Sequence, residues 1–147
     1  MPAIQTTYVE NIPVAVVGHP ADMRAAVMAS RECDVAMNFG VPAFQGALPH
    51  SVKLKVDADT VTTFAGVTVR DRSVMTGDAY SVKETARILQ QGPIWVNASV
   101  AVAAGDPVAV TQPGLWSNVA GTNGLVIPDA RWDTTTAGAG LAKIVLK

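Results

Sequence analysis

From Cys33 to the C-terminus, apolar residues come in short runs, each closed off by Gly, Pro, Asn or Asp. Asp34–Phe39 breaks at Gly40, and Val41–Phe44 ends at Gln45-Gly46 before a loop that contains Pro49. Ser51–Val56 alternates strictly, with Val52, Leu54 and Val56 on one face and Lys53 and Lys55 on the other. That pattern predicts a half-buried strand whose lysines face solvent or a partner. Val61–Val69 repeats the theme around Gly66, a residue suited to a bulge or to close backbone approach. Met75–Tyr80 reads as a turn around Gly77-Asp78.

Ser81–Gly92 carries two patterns at once. Ser81-x-x-Glu84 fits a capping box, and Val82, Ala86 and Leu89 have helical spacing, which would make a helix ending at Gly92. The preferred reading places a turn at Lys83-Glu84 and a strand at Thr85–Gln90, joined through Gln91-Gly92-Pro93 to a second strand, Ile94–Val102. Ala104-Gly105-Asp106-Pro107 then precedes Val108–Val110, and Asn123-Gly124 signals a hairpin turn before Leu125–Ile127. Ala130–Asp133 and a closing strand at Leu141–Leu146 complete the series. So many short strands at close spacing predict an all-β domain, a β-barrel or a jelly-roll-like sandwich.

The N-terminal part is different. Thr6–Val9 and Val14–Val17 have strand composition, but Pro2, Pro13, Gly18 and Pro20 interrupt them, so residues 1–20 read as an edge strand or extended arm. Ala21–Glu32 has Met23, Val27 and Met28 on one helical side and Asp22 as a candidate N-cap, which predicts a short helix or a loop. The domain itself spans residues 21–147.

Composition narrows the function. The 147-residue chain suits one domain, and charged residues make up only 16% of it against 49% hydrophobic, with a mean hydropathy of +0.27. Typical soluble domains carry about 25% charged residues, so part of the surface is expected to be covered by partners. Eleven Lys and Arg against twelve Asp and Glu, with no basic run, argue against nucleic-acid binding. Near-zero net charge favours self-association. Apolar runs such as Ile12–Val17 are too short to span a bilayer, no basic n-region opens the chain, and the expected site of synthesis is the cytoplasm. The single cysteine, Cys33, has no intramolecular disulfide partner.

The residue types that carry chemistry are sparse. His19, Cys33 and His50 match no zinc-finger spacing, and no metal or cofactor is expected. His50 and Ser51 are neighbours, but no Gly-x-Ser-x-Gly elbow accompanies them. Gly138-Ala139-Gly140 is a flexible turn, because Lys143 stands where a dinucleotide loop needs its third glycine. Asn97-Ala98-Ser99 fits a glycosylation sequon but falls within a strand. Among the tryptophans, Trp95 and Trp132 are expected in the core, whereas Trp116, in a Pro/Gly loop, is an interface candidate. Arg70, Asp71 and Arg72 close the Phe64–Val69 strand, where they can pair across a protomer boundary.

Four segments, Phe64–Arg72, Gln91–Val96, Val102–Val108 and Ile127–Trp132, resemble the structural cement, or capsid decoration, proteins of tailed bacteriophages. With the Asn38-Phe39-Gly40 neighbourhood and the strand at Gly140-Leu141-Ala142, the similarity covers residues 33–147 and is weaker over 1–32. It implies a non-enzymatic β-barrel or jelly-roll protein on the outer face of the virion, a homo-oligomer with dimer favoured over trimer, which clamps neighbouring subunits of the major capsid protein. The interface candidates are then Tyr8, Val9, Ile12 and Val14 on the arm, with Arg70, Arg72 and Trp116. The arm is expected to add to a neighbour's sheet edge. The alternatives are a carbohydrate-binding β-sandwich with Trp116 beside Asn118 or Asn123, and third a small barrel hydrolase using Ser51, His50 and an aspartate.

Overall fold

The computed structural model describes residues 15–72 and 77–147, so Tyr8, Val9, Ile12 and Val14 lie outside the described residues. Within them the protein is all-β, as its apolar pattern predicts. The strands are β1 (Val27–Cys33), β2 (Met37–Asn38), β3 (Pro42–Gln45), β4 (Ser51–Lys53), β5 (Phe64–Thr68) and β6 (Ala79–Tyr80), then β7 (Thr85–Ala98), β8 (Pro107–Thr111), β9 (Leu115–Ser117), β10 (Leu125–Trp132) and β11 (Gly140–Leu146).

Nine of them form one sheet in the order β1-β4-β3-β5-β7-β11-β10-β8-β9, and both end strands, β1 and β9, pair back onto β7. The sheet therefore closes twice, as two rings of five strands that share β7. Closure meets the main-chain groups that an open edge would expose. Only β2 and β6 stand apart, as a two-stranded ribbon.

β7 makes this possible by running unbroken for 14 residues. Its first half lies between β1, in register from Met28↔Leu89 to Glu32↔Thr85 with a bulge before Met28, and β5, through Val67↔Leu89 and Thr68↔Ile88. Its second half pairs with β11 from Gly92↔Leu146 to Ala98↔Gly140. On the other side the segment before β1 is stitched on, with Gly18 N–H donating to Trp95 O at 2.8 Å and Trp95 N–H to His19 O at 3.0 Å. The strand reading of Thr85–Gln90 holds, but the expected hairpin at Gln91-Gly92-Pro93 does not exist. Gly92 serves close approach instead, since a Cβ there would meet Ala25 O at 3.1 Å, and its φ of +121° suits glycine. The capping-box contact forms within a turn, where Ser81 N–H donates to Glu84 Oε2 at 2.7 Å and Lys83 takes a φ of +68°.

Other local expectations also yield to tertiary context. Residues 22–24 form bends within an irregular 21–26 stretch, and Val27–Cys33 is a strand, where a short helix or loop was expected over Ala21–Glu32. Met23 is fully exposed and Val27 is 47% exposed, so the helix would have had little apolar face to bury, whereas β1 gains a ladder to β7 from Met28 to Glu32, with a bulge at Val27/Met28. Asp22 does accept Arg24 N–H at 3.0 Å, but in a bend. β4 stops at Lys53 because the chain turns on Asp59, whose carboxylate accepts Val56 N–H at 2.8 Å. Lys55, expected outside, is 2% exposed and donates to Val56 O at 3.2 Å. Val61–Thr63 is a 3-10 turn ahead of β5, and Leu125–Trp132 is one strand with Asp129 at a φ of +58°. Asn123-Gly124 closes no hairpin, since β8 lies between β9 and β10.

Two apolar clusters fill the rings. The larger holds Leu89, Ile94, Val96, Val110, Trp116, Trp132 and Ile144, and the smaller holds Cys33, Met37, Phe39, Val52, Tyr80, Ala86 and Ile88. β7 serves both clusters, with Ala86 and Ile88 in the small one and Leu89, Ile94, Val96 and Ala98 in the large one. Packing two buried clusters this way supplies the apolar burial that stabilises a chain without disulfides.

Candidate docking groove

Three hollows that share lining residues run together along one side of the molecule. The largest, about 450 Å³, is bounded by Val16, Val17, Asn38, Phe39, Arg70, Asp78 and Asn97. A second, about 200 Å³, continues past Asn38 and Asn97 to Leu115, over a floor of Gly40 and Trp116. A third, about 230 Å³, extends from Asn38 and Leu115 to Leu54 and Pro113. Asn38 borders all three.

The groove's floor is built on two glycines. Gly18 and Gly40 both have positive φ, +81° and +70°, and a Cβ on Gly40 would meet Val17 Cγ1 at 2.5 Å. Their bare backbones let the 15–18 segment lie against the Phe39-Gly40 corner. That corner is fixed from beneath, because Trp116 Nε1–H donates to Gly40 O at 2.7 Å and Gly40 N–H donates to Thr68 O at 2.8 Å. Thr68 Oγ1 adds a bond to Asn38 O at 2.8 Å.

Arg70 closes one end. Its guanidinium pairs with the Asp78 carboxylate and sits 5.2 Å from the Phe39 ring centroid, and its N–H donates to Gly18 O at 2.8 Å. Phe39 in turn meets Tyr80 edge-on at 5.1 Å, and burial raises the Tyr80 hydroxyl's pKa while its O–H donates to Val69 O at 2.5 Å. The groove walls are thus rigid and mostly apolar, with the Asn38 and Asn97 side chains exposed on them.

Of the residues singled out from sequence, Arg70 lies in this groove, whereas Arg72 is exposed on the turn beyond it. Trp116 is a correction: it is 2% exposed, so its indole supports the floor and is not free to anchor a partner. An aromatic in a Pro/Gly loop reads as exposed, but Leu115–Ser117 is a strand paired with β8, and Trp116 takes its inward position. Trp132 is buried as expected, with Nε1–H donating to Ser117 O at 3.2 Å, and Trp95 is half-buried. Asn38, Asn97 and Leu115 were not read as groove residues from sequence, although the Asn38-Phe39-Gly40 triplet and the Asn97-Ala98-Ser99 sequon contain two of them.

The other candidate chemistries come apart. Ser51 is buried and donates to Asp34 Oδ2 at 2.8 Å, while the imidazole of His50 is exposed and 4.0 Å from Glu32, with no hydrogen bond joining the pair. The Ala47 N–H and then Ser51 hold the Asp34 carboxyl below its usual pKa, as a turn anchor. Cys33 is fully buried, and desolvation pushes its thiol up to about 11. Among the described residues no group of three His, Cys, Asp or Glu is placed to hold a metal. With Trp116 buried, the carbohydrate reading loses its stacking platform, and Asn118 is engaged with Asp106 Oδ2 at 3.0 Å.

A charged ladder ties the segment before β1 to the large ring. Arg24 pairs with Asp22 at 2.7 Å and Asp133 at 2.9 Å, and Lys143 reaches Asp133 at 2.8 Å. Hydrogen bonds from Arg24 bring the Asp22 carboxyl down to about 2, and Lys143 followed by Arg24 lowers that of Asp133. Asp22 and Arg24 lie at the surface and Asp133 and Lys143 are half-buried, so solvent screens much of the ladder.

Comparison with known proteins points in one direction. The family model described as structural cement protein (E217 gp24/Pam3 gp6) matches residues 4–147. A chain from a structure described as the capsid of Myoviridae phage XM1 has the same fold, with a TM-score of 0.78 at 15% identity over 99% of this chain and 98% of that one. No curated protein matches the sequence.

Proposed function

The chain belongs to the phage structural cement protein family, and on that premise we propose that it attaches to the outer surface of the assembled head and clamps neighbouring major capsid subunits. The family role is structural and non-enzymatic, and places the protein with the phage capsid. The observation that carries the proposal is the family match over residues 4–147, the fold likeness adding the same architecture.

The physical argument is one of linkage. A rigid body that touches two subunits at once binds the assembled lattice and not the separated subunits, so its binding free energy adds to the stability of the shell. A dimer that reaches two sites raises the effective concentration of the second contact, and attachment becomes firm although each contact is modest. Two closed rings around buried cores suit this, because a clamp that deformed easily would transmit little restraint. We place Arg72, exposed beyond the groove, among the capsid contacts, with Arg70 contributing less because Asp78 already neutralises it. The dimer is part of the proposal.

Co-sedimentation tests it. The purified chain is mixed with undecorated mature heads, and in parallel with unassembled capsid subunits. Saturable, stoichiometric binding to heads alone is expected. Absence of binding by the folded chain, or equal binding to free subunits, would refute the lattice-dependent clamp.

A further inference from the structure

We propose that Asn123-Gly124 is a site of spontaneous covalent modification, at which the asparagine side chain cyclises onto the next peptide nitrogen and hydrolyses to aspartate and isoaspartate. The inference goes beyond the cementing role and does not depend on it.

The fold leaves this pair unused as a turn. Asn123-Gly124 closes no hairpin, and residues 118–124 lie outside every strand, between β9 and β10. Gly121, Thr122 and Asn123 are exposed, and with Thr111, Gln112 and Ala120 they line a hollow of about 370 Å³ that water can enter. Among the described residues the Asn123 side-chain amide has no hydrogen-bond partner. An asparagine amide without such a partner turns readily towards its own main chain. Gly124 cannot be replaced at no cost, because a Cβ there would lie 1.8 Å from Ala120 O. The close approach therefore holds a glycine beside Asn123.

The chemistry is an internal acyl transfer. The Gly124 peptide nitrogen gives up its proton to solvent and attacks Asn123 Cγ, and the new C–N bond closes a succinimide ring. The Cγ–Nδ2 bond breaks, and the amide leaves as ammonia with a proton from solvent. Water then adds to one of the two ring carbonyls. Opening at Cγ restores the peptide and leaves aspartate, whereas opening at the main-chain carbonyl leaves isoaspartate, with the chain running through the former side chain. Nothing is oxidised or reduced, and water is the only co-reactant. Glycine favours the attack because no Cβ flanks its nitrogen.

The other described asparagines lack this combination. Asn38 and Asn97 lie in β2 and β7 and precede Phe39 and Ala98. Asn118 precedes the β-branched Val119, and its amide donates to Asp106 Oδ2 at 3.0 Å. Conversion at Asn123 replaces a neutral amide by a carboxylate, so one negative charge is added and the formal charge goes from −1 to −2. No enzyme is needed, and modified copies accumulate with the age of the protein.

The test incubates the purified full-length chain in warm, mildly alkaline buffer and follows it by intact mass, isoelectric focusing and peptide mapping with electron-transfer fragmentation. A mass gain of about 1 Da and a new acidic band are expected, both mapping to Asn123. Conversion there should be about tenfold or more faster than at Asn38, Asn97 or Asn118, and methylation by protein isoaspartyl methyltransferase should detect the isoaspartate. Asn123→Gln keeps a side-chain amide but requires a larger ring, so the acidic band should disappear while near-ultraviolet circular dichroism stays native. An unconverted Asn123 in the folded chain, conversion no faster there than at another asparagine, or an acidic band that persists in Asn123→Gln each overturns the proposal. Head binding is not read in this assay, so its outcome is separate from that of the cementing role.

Discussion

Trp116→Phe separates a structural strut from an interface anchor. The substitution keeps an aromatic ring in the large core and removes the Nε1–H that donates to Gly40 O at 2.7 Å. Gly40 is buried, so its carbonyl loses that donor where water does not readily replace it. An unsatisfied buried polar group costs about 1–3 kcal/mol. The smaller ring adds a cavity cost on the order of 1 kcal/mol. The expected loss is therefore about 2–4 kcal/mol, a fall in melting temperature of roughly 5–15 °C for a chain of this size. Urea unfolding should show a lower midpoint with an unchanged m-value, since the surface exposed on unfolding is nearly the same. A stability change below about 0.5 kcal/mol would refute the strut. Unchanged stability together with lost head binding would restore Trp116 as an interface anchor.

Two further outcomes follow from the geometry. Gly66→Ala should destabilise by at least about 2 kcal/mol in urea unfolding, because φ is +138° and a Cβ would come within 2.2 Å of Leu89 O. Gly138→Ala, with nothing within 4 Å and an ordinary φ, is the control and should lie between neutral and about 1 kcal/mol more stable. Equal effects at the two sites would remove the close-approach account of Gly66. The second outcome concerns acid. The Asp22, Asp34, Asp106 and Asp133 carboxyls all titrate below their usual 3.8 in the folded chain, Asp22 at about 2. A depressed folded pKa gives stability that is present above the unfolded value and is lost as pH falls through the folded one. Melting temperature should hold from pH 7 to 5 and drop between pH 4 and 2, and a flat profile across that range would contradict the assignment.

The period of two in the apolar pattern was enough to make the protein all-β, to mark Trp132, Phe39 and Phe44 as core, and to end the chain in an inward-facing strand at β11. Those features depend on side chains a few residues apart, which the sequence displays directly. Gly66 was legible for the same reason, as a small residue inside an apolar run.

What the sequence left open depended on partners far along the chain. Ser81–Gly92 satisfies helix rules locally, but β1, β5 and β11 flank β7 and convert it, with the residues that follow, into one strand. Gln91-Gly92-Pro93 reads as a turn by composition, yet its glycine is used where Ala25 and Ala26 crowd in from another segment. Lys55 alternates outward by pattern and is buried because the chain turns on Asp59. Trp116 sits in a loop by composition and faces inward because Leu115–Ser117 completes a ring. The groove follows the same rule: Val17, Asn38, Asn97 and Leu115 are scattered through the sequence and meet only after both rings close on β7. Local periodicity sets which strands form, whereas pairing between distant strands, each bond gained at the cost of ordering a long loop, decides where they turn and what they enclose.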